Sequence, residues 1–163
     1  MSTGSLGLGI SAACGIALSA KLSGESYRTY AMIGDGESEE GQVWEAAMFA
    51  AHYKLDNLCV VLDYNGLQID GSVAEVIGPA PFEPKLEAFG YNVITIDGHD
   101  FDQIEAAFKA ARECKGRPTA IVANTVKGKG VSFMENKVSW HGAAPKDPEY
   151  AIAVEEINAQ IGG

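Results

Sequence analysis

The sequence predicts an α/β fold, a doubly wound and mostly parallel sheet with helices on both faces. Three observations lead there. Apolar runs of strand length stand at 27–33, 58–62, 91–96 and 119–123. Helical patterns at 39–53, 83–89 and 101–114 lie between them. The run Leu58-Cys59-Val60-Val61-Leu62 is apolar throughout between Asp56-Asn57 and Asp63, as a strand covered on both faces requires.

The elements follow in order. Ile10, Cys14, Ala17 and Leu18 recur at helical spacing, and Ser11, Gly15 and Ser19 form a stripe of small residues. The first element is therefore a helix that a neighbour can approach closely. A turn at 23–26 leads into the first strand, which ends at Gly34. The helix at 39–53 opens on Glu39 and Glu40, where acidic groups suit the helix dipole. Val43, Trp44, Ala46, Ala47, Met48, Phe49, Ala50 and Ala51 make it apolar nearly all round. Such a helix is buried on more than one side, which points to a second chain covering it. Residues 66–78 read as loop, and the helix at 83–89 carries Pro84 in its first turn, where proline is tolerated. The helix at 101–114 is amphipathic, with Ile104, Ala107, Phe108 and Ala111 on one face. Residues 127–148 form a loop bearing glycine, lysine and proline, and 150–161 close the chain as a helix. With no internal repeat, 1–163 reads as a single domain. The chain enters its first helix without a leading strand, so it reads as a piece of something longer.

Composition narrows the function. A chain of 163 residues with 47% hydrophobic and 21% charged residues is globular. Its net charge of -10 argues against nucleic acid and anionic membranes as partners. A diphosphate ligand is still open to it, because backbone N–H groups and a metal set the local field. Cys14, Cys59 and Cys114 are odd in number and widely spaced. They read as reduced thiols of a cytoplasmic protein. The apolar stretch at 6–22 is interrupted by serine and glycine, so neither a membrane span nor a signal peptide is expected.

Two motifs carry chemistry. Gly34-Asp35-Gly36 follows the first strand, and Asp63-Tyr64-Asn65 ends the second, about 30 residues on, the length of one βαβ unit. Ligands of open α/β sheets bind at such strand ends. A hard divalent cation takes oxygen donors of this kind and completes its shell with water and phosphate. Gly34 and Gly36 let backbone approach a ligand closely, and N–H groups leading into the next helix favour a phosphate. Taken singly, Asp35 is also readable as a turn cap, and Asn65-Gly66 as an ordinary type I′ turn. Both motifs on adjacent units point to a Mg²⁺–diphosphate site.

The stretch IGDGESEEGQVWEAAMFAAHYKLDNLCVVLDYNGLQIDG resembles the thiamine diphosphate motif of transketolases, especially the split kind whose halves are separate chains. STGSLGLGIS near the start and VKGKGVSFMENKVSWHGAAP near the end resemble the same family in the same order. The resemblance covers essentially the whole chain. It implies the pyrophosphate-binding domain of the thiamine diphosphate-binding fold. It also implies that Asp35, Asn65 and the backbone carbonyl of Leu67 hold Mg²⁺, and that Gly36 and Gly4 offer N–H groups to the diphosphate. Leu6 and Ile69 would lie against the thiazolium ring. His141 matches the histidine reaching the diphosphate and substrate side. Glu40 and Glu45 match carboxylates that communicate between cofactor sites near a dimer interface. Lys127 and Lys129 either lend positive potential to the cleft or are solvated loop lysines. In the family a long segment precedes STGSLG, and a separate pyrimidine-binding domain or chain supplies the glutamate that activates the cofactor. The implied function is cofactor anchoring in a homodimeric transketolase that moves two-carbon ketol units between sugar phosphates. That enzyme would include a C-terminal subunit carrying the pyrimidine-binding domain. The alternative is a non-catalytic or minimal thiamine diphosphate-binding module.

Overall fold

The computed structural model describes residues 3–161. The chain runs through α1 (Leu8–Ser23), β1 (Thr29–Gly34), α2 (Gly41–His52) and β2 (Leu58–Tyr64). Short β3 (Leu67–Gln68), β4 (Gly71–Ser72) and α3 (Val73–Val76) follow, then α4 (Phe82–Ala88), β5 (Asn92–Asp97), α5 (Phe101–Glu113), β6 (Thr119–Asn124) and α6 (Asp147–Ile161). Four strands pair in the order β1-β2-β6-β5, all parallel. The register sets Gly34 beside Asp63 and Asp63 beside Ala123. The first two strands thus end at one level, and the residues just past them meet at the same edge of the sheet.

Helices cover both faces, as the sequence predicts. Leu58, Val60 and Leu62 share one buried cluster with Ile10 and Ala17 of α1, Val43 and Ala47 of α2 and Phe82 of α4. Cys59 and Ile121 face the other way, onto Ala107 and Ala111 of α5. The α5 start is capped by Asp100, whose side chain accepts from the Asp102 and Gln103 N–H groups.

Several elements differ from expectation. The helix expected at 39–53 is two pieces: a 3-10 turn at Glu37–Glu39, then α2 from Gly41. Glu40 between them is extended, with ψ 127°. The Ser38 side chain donates to the Asp35 carbonyl, which holds the first piece against the strand tip. Within this one chain α2 buries Val43, Ala46, Ala47 and Ala50 and leaves Met48 and Phe49 exposed, the face for which a covering second chain is expected. The loop expected at 66–78 contains the β3–β4 hairpin and the single turn α3, which Ser72 caps by accepting from the Glu75 N–H. Serine and glycine at the hairpin hide the two-residue strands from any reading of apolar period. The last helix starts at Asp147 rather than Tyr150, with Asp147 and Glu149 in its first turn.

Asp56 ties three regions together. Its carboxylate accepts from the Lys21 ammonium at 3.0 Å and from the Gly116 N–H at 2.9 Å, joining the end of α1 to the turn before β6. Burial pushes its pKa up, but the Gly116 N–H and the Lys21 ammonium outweigh that and hold it below the usual aspartate value. A carboxylate lowered in the folded state stabilises fully above its unfolded pKa, and that contribution is lost as pH falls through the folded one. Asp56→Ala should therefore cost about 1 kcal/mol at neutral pH, with the gap closing in acid. Urea unfolding of both proteins across pH checks this; a gap that stays constant into acid contradicts it.

Candidate functional site

Where β1 and β2 end, a cleft of about 270 Å³ opens. Its walls bring together most of the residues singled out above: Leu6, Gly34, Asp35, Gly36, Asn65, Leu67, Ile69 and His141, with Lys127 beside them. Gly4, Glu40, Glu45 and Lys129 are not part of that lining. Glu40 stands beside Gly7 at the start of α1, 3.2 Å from where a Gly7 Cβ would lie. Glu45 borders a separate groove with Ser11, Gly15 and Phe49.

Asp35 is 2% exposed. Its backbone N–H donates to the Asp63 carbonyl, which carries the strand ladder one step past Gly34. One side-chain oxygen accepts from the Gly36 N–H at 2.8 Å, the other from the Gly66 N–H at 2.5 Å. The Gly36 N–H, which the resemblance assigns to the diphosphate, is thus engaged by Asp35. Gly36 also has little room for a side chain: its Cβ would sit 3.0 Å from that of Gln68, which would have to give way. Gln68 in turn donates to Glu39 at 2.6 Å, laying β3 over the Gly36 loop.

Asn65 is held at both ends. Its Oδ1 accepts from the Leu67 N–H at 3.0 Å, and its Nδ2 donates to Asp63 at 3.1 Å. The other Asp63 oxygen accepts from the Thr125 hydroxyl. Because a carboxylate only accepts, Asp63 fixes which way the Asn65 amide faces. Thr125 carries this support across to the chain leaving β6. The tight turn beyond presents Lys127; at Gly128 (φ +72°) a Cβ would meet Met134 at 2.7 Å. His141 is exposed at the end of the turn Val138–Trp140, where its N–H donates to the Val138 carbonyl. Trp140 anchors that turn by donating to the Phe133 carbonyl.

Burial pushes the Asp35 carboxyl up, the N–H groups of Gly66 and Gly36 oppose it, and the charge of Asp63 raises it further. Neither carboxylate is in an ion pair; among the described residues the one ion pair is Lys21–Asp56. Asp35 and Asp63 are unpaired carboxylates at a cleft that Glu37 also borders, and their oxygens with the Asn65 side-chain oxygen suit a hard cation. Among the described residues no three His, Cys, Asp or Glu side chains are grouped to hold a metal alone. A cation at Asp35 and Asn65 therefore takes most of its shell from elsewhere, as Mg²⁺ does with phosphate and water.

Other reactive groups are accounted for by structure. Burial pushes the Cys14 and Cys59 thiols up to about 11, which leaves them unreactive. The three cysteines are free. The His99 ring accepts from the Val126 N–H and so braces the loop after β6. Among the described residues no helix is long and apolar enough to cross a membrane. Sequence reasoning passed over Glu37 and Gln68 as parts of the site and gave Asp63, inside its second motif, no role of its own. Asp63 was legible only as the end of a strand, and Glu37 as one acid among several before a helix.

The family model for the transketolase thiamine diphosphate binding domain matches residues 1–160. The chain belongs to that family. It is 46% identical over 160 residues to the 6-deoxy-6-sulfo-D-fructose transketolase subunit SqwG of Clostridium sp. (strain MSTE9), covering 98% of this chain and 58% of that protein. It is 38% identical to an apulose-4-phosphate transketolase subunit of Phocaeicola vulgatus, covering 99% of this chain and 57% of that protein. Human transketolase is 45% identical, and the match covers 99% of this chain and 26% of that one. Among solved structures, transketolase from Campylobacter jejuni superposes with a TM-score of 0.91 at 31% identity, covering 96% of this chain and 26% of the other. This transketolase-family chain thus spans less than two thirds of the split-subunit relatives and about a quarter of the single-chain ones.

Proposed function

We propose that the chain binds thiamine diphosphate through Mg²⁺ and is the cofactor-anchoring component of a transketolase transferring two-carbon ketol units between sugar phosphates. The observation that carries this reading is that one cleft gathers Asp35, Asn65 and Leu67 with Leu6, Ile69 and His141. Asp35 and the Asn65 side-chain oxygen, with the Leu67 carbonyl, would hold the metal. Gly36 keeps the backbone close, and Leu6 and Ile69, 57% and 65% exposed, offer apolar surface to a ring. Lys127 and His141 bring the positive or hydrogen-bonding groups that a diphosphate or sugar phosphate needs. Glu40 at the head of α2 would act between cofactor sites, alongside Glu45, and Gly4 would offer its N–H to the diphosphate from the first loop. Bound there, thiamine diphosphate supplies an acyl-anion equivalent.

The split-subunit relatives support a C-terminal partner subunit carrying the pyrimidine-binding domain. A homodimer is supported by exposed apolar side chains on neighbouring helices, Leu8 and Ile16 on α1 and Met48 and Phe49 on α2. The three free thiols support a cytoplasmic setting.

Calorimetric titration tests the central assignment. Thiamine diphosphate with Mg²⁺ should bind, and Asp35→Ala should weaken it at least tenfold, about 1.4 kcal/mol. Equal affinity for the variant, or for the unsubstituted chain in EDTA, rejects it. In sedimentation at micromolar concentration the chain should run as a dimer; a monomer rejects that assembly. In a coupled assay with xylulose 5-phosphate and ribose 5-phosphate, the 163 residues alone should stay near background. The activating glutamate belongs to the pyrimidine-binding partner. Robust turnover lost in Asp35→Ala would contradict that division of labour.

A further inference from the structure

The loop at 3–7 brings Leu6 to the cleft, yet little holds it. Within it the Leu8 N–H donates to the Ser5 carbonyl, a bond internal to the start of α1. Among the described residues, the one hydrogen bond from this loop to a part of the chain beyond α1 runs from the Gly7 N–H to Glu37, at 2.8 Å. The second oxygen of the same carboxylate accepts from the Gly34 N–H at 3.3 Å. Glu37 therefore grips two backbone groups 27 residues apart in sequence, one in the loop bearing Leu6 and one at the tip of β1. Gly7 is in the left-handed region (φ +80°), and a Cβ there would press on Glu40 at 3.2 Å, so the N–H that Glu37 holds is set in a tightly defined place. Glu37 also borders both the cleft and the neighbouring groove between α1 and β1. An anionic group at the rim of a cleft for an anionic ligand is unfavourable by charge alone, which calls for another reason for its place.

We propose that Glu37 is a positioning residue, a clip that fixes the Leu6 loop over the cleft so that the loop meets the ring end of the cofactor. This rests on the cofactor reading above. The clip acts on the part of the ligand that Leu6 faces, so its loss should be felt by thiamine diphosphate and hardly by a ligand that has no ring.

The test compares two ligands on each protein. Thiamine diphosphate and inorganic diphosphate, each with Mg²⁺, are titrated into the unsubstituted chain and into Glu37→Gln and Glu37→Asp. The amide of Glu37→Gln keeps one acceptor and turns a donor toward the second N–H. Glu37→Asp keeps the charge but is one methylene too short to span both groups. In both variants the affinity for thiamine diphosphate relative to diphosphate should fall at least about fivefold, the cost of ordering a loop no longer preorganised. Because Glu37→Asp keeps the charge, a fall shared by both variants is not an effect of charge. An unchanged ratio in the two variants overturns the proposal. Hydrogen exchange of the Gly7 amide in the unsubstituted chain is the second measurement, independent of how the variants fold. Protection is expected, and exchange at the free-peptide rate overturns the clip. Failure of the unsubstituted chain to bind thiamine diphosphate at all would instead reject the cofactor reading, with the exchange result still deciding whether the clip exists.

Discussion

The Asp35 carboxylate lies out of water beside a second carboxylate, Asp63, and the heads of β1 and β2 are shaped by that constraint. A buried carboxylate has to be met by donors or a cation. Here the backbone provides two donors, the N–H groups of Gly36 and Gly66, and both need the chain to turn sharply back toward Asp35. That requirement accounts for the glycine at 36, where Gln68 crowds any side chain, and for the glycine at 66, with φ +76°. It also accounts for the broken start of α2, since Ser38 and the 3-10 turn close onto the Asp35 carbonyl before a regular helix can begin. The donors reduce the cost of burial without supplying a positive charge, which is the physical ground for proposing a cation there.

The parallel sheet makes this arrangement rigid. Because Gly34, Asp63 and Ala123 are in register, the residues just past three strands stand side by side. Cross-links then run at the sheet edge itself: Thr125 to Asp63, Asp63 to Asn65, Asn65 to the Leu67 N–H. The apolar clusters on the two faces hold the strands, and the strands hold the cleft. At its rim Leu6, Ile69 and His141 are exposed.

Much of the fold was legible because burial writes a simple pattern. The continuous run from Leu58 to Leu62 required cover on both faces, and α5 showed its period through Ile104, Ala107, Phe108 and Ala111. The meeting of Asp35 and Asn65 was legible for a related reason, since strand ends in one βαβ unit must be neighbours, whereas Leu67 came only from the family resemblance. What was hidden depended on long-range contact. The β3–β4 hairpin is too short to show a period, and its place over Gly36 depends on Gln68 reaching Glu39. Nothing near Glu37 in sequence says that its partner is Gly7, 30 residues earlier. Which residues of α2 its own chain leaves bare, Met48 and Phe49, was hidden too, because an apolar residue reads the same whether its own chain or a second one covers it.

The most direct measurement is a crystal structure of the chain grown with thiamine diphosphate and Mg²⁺. The account predicts a metal about 2.1 Å from an Asp35 carboxylate oxygen, the Asn65 side-chain oxygen and the Leu67 carbonyl, with diphosphate oxygens completing its shell. Cofactor density lying instead in the groove between α1 and β1, with no metal at Asp35, would contradict it.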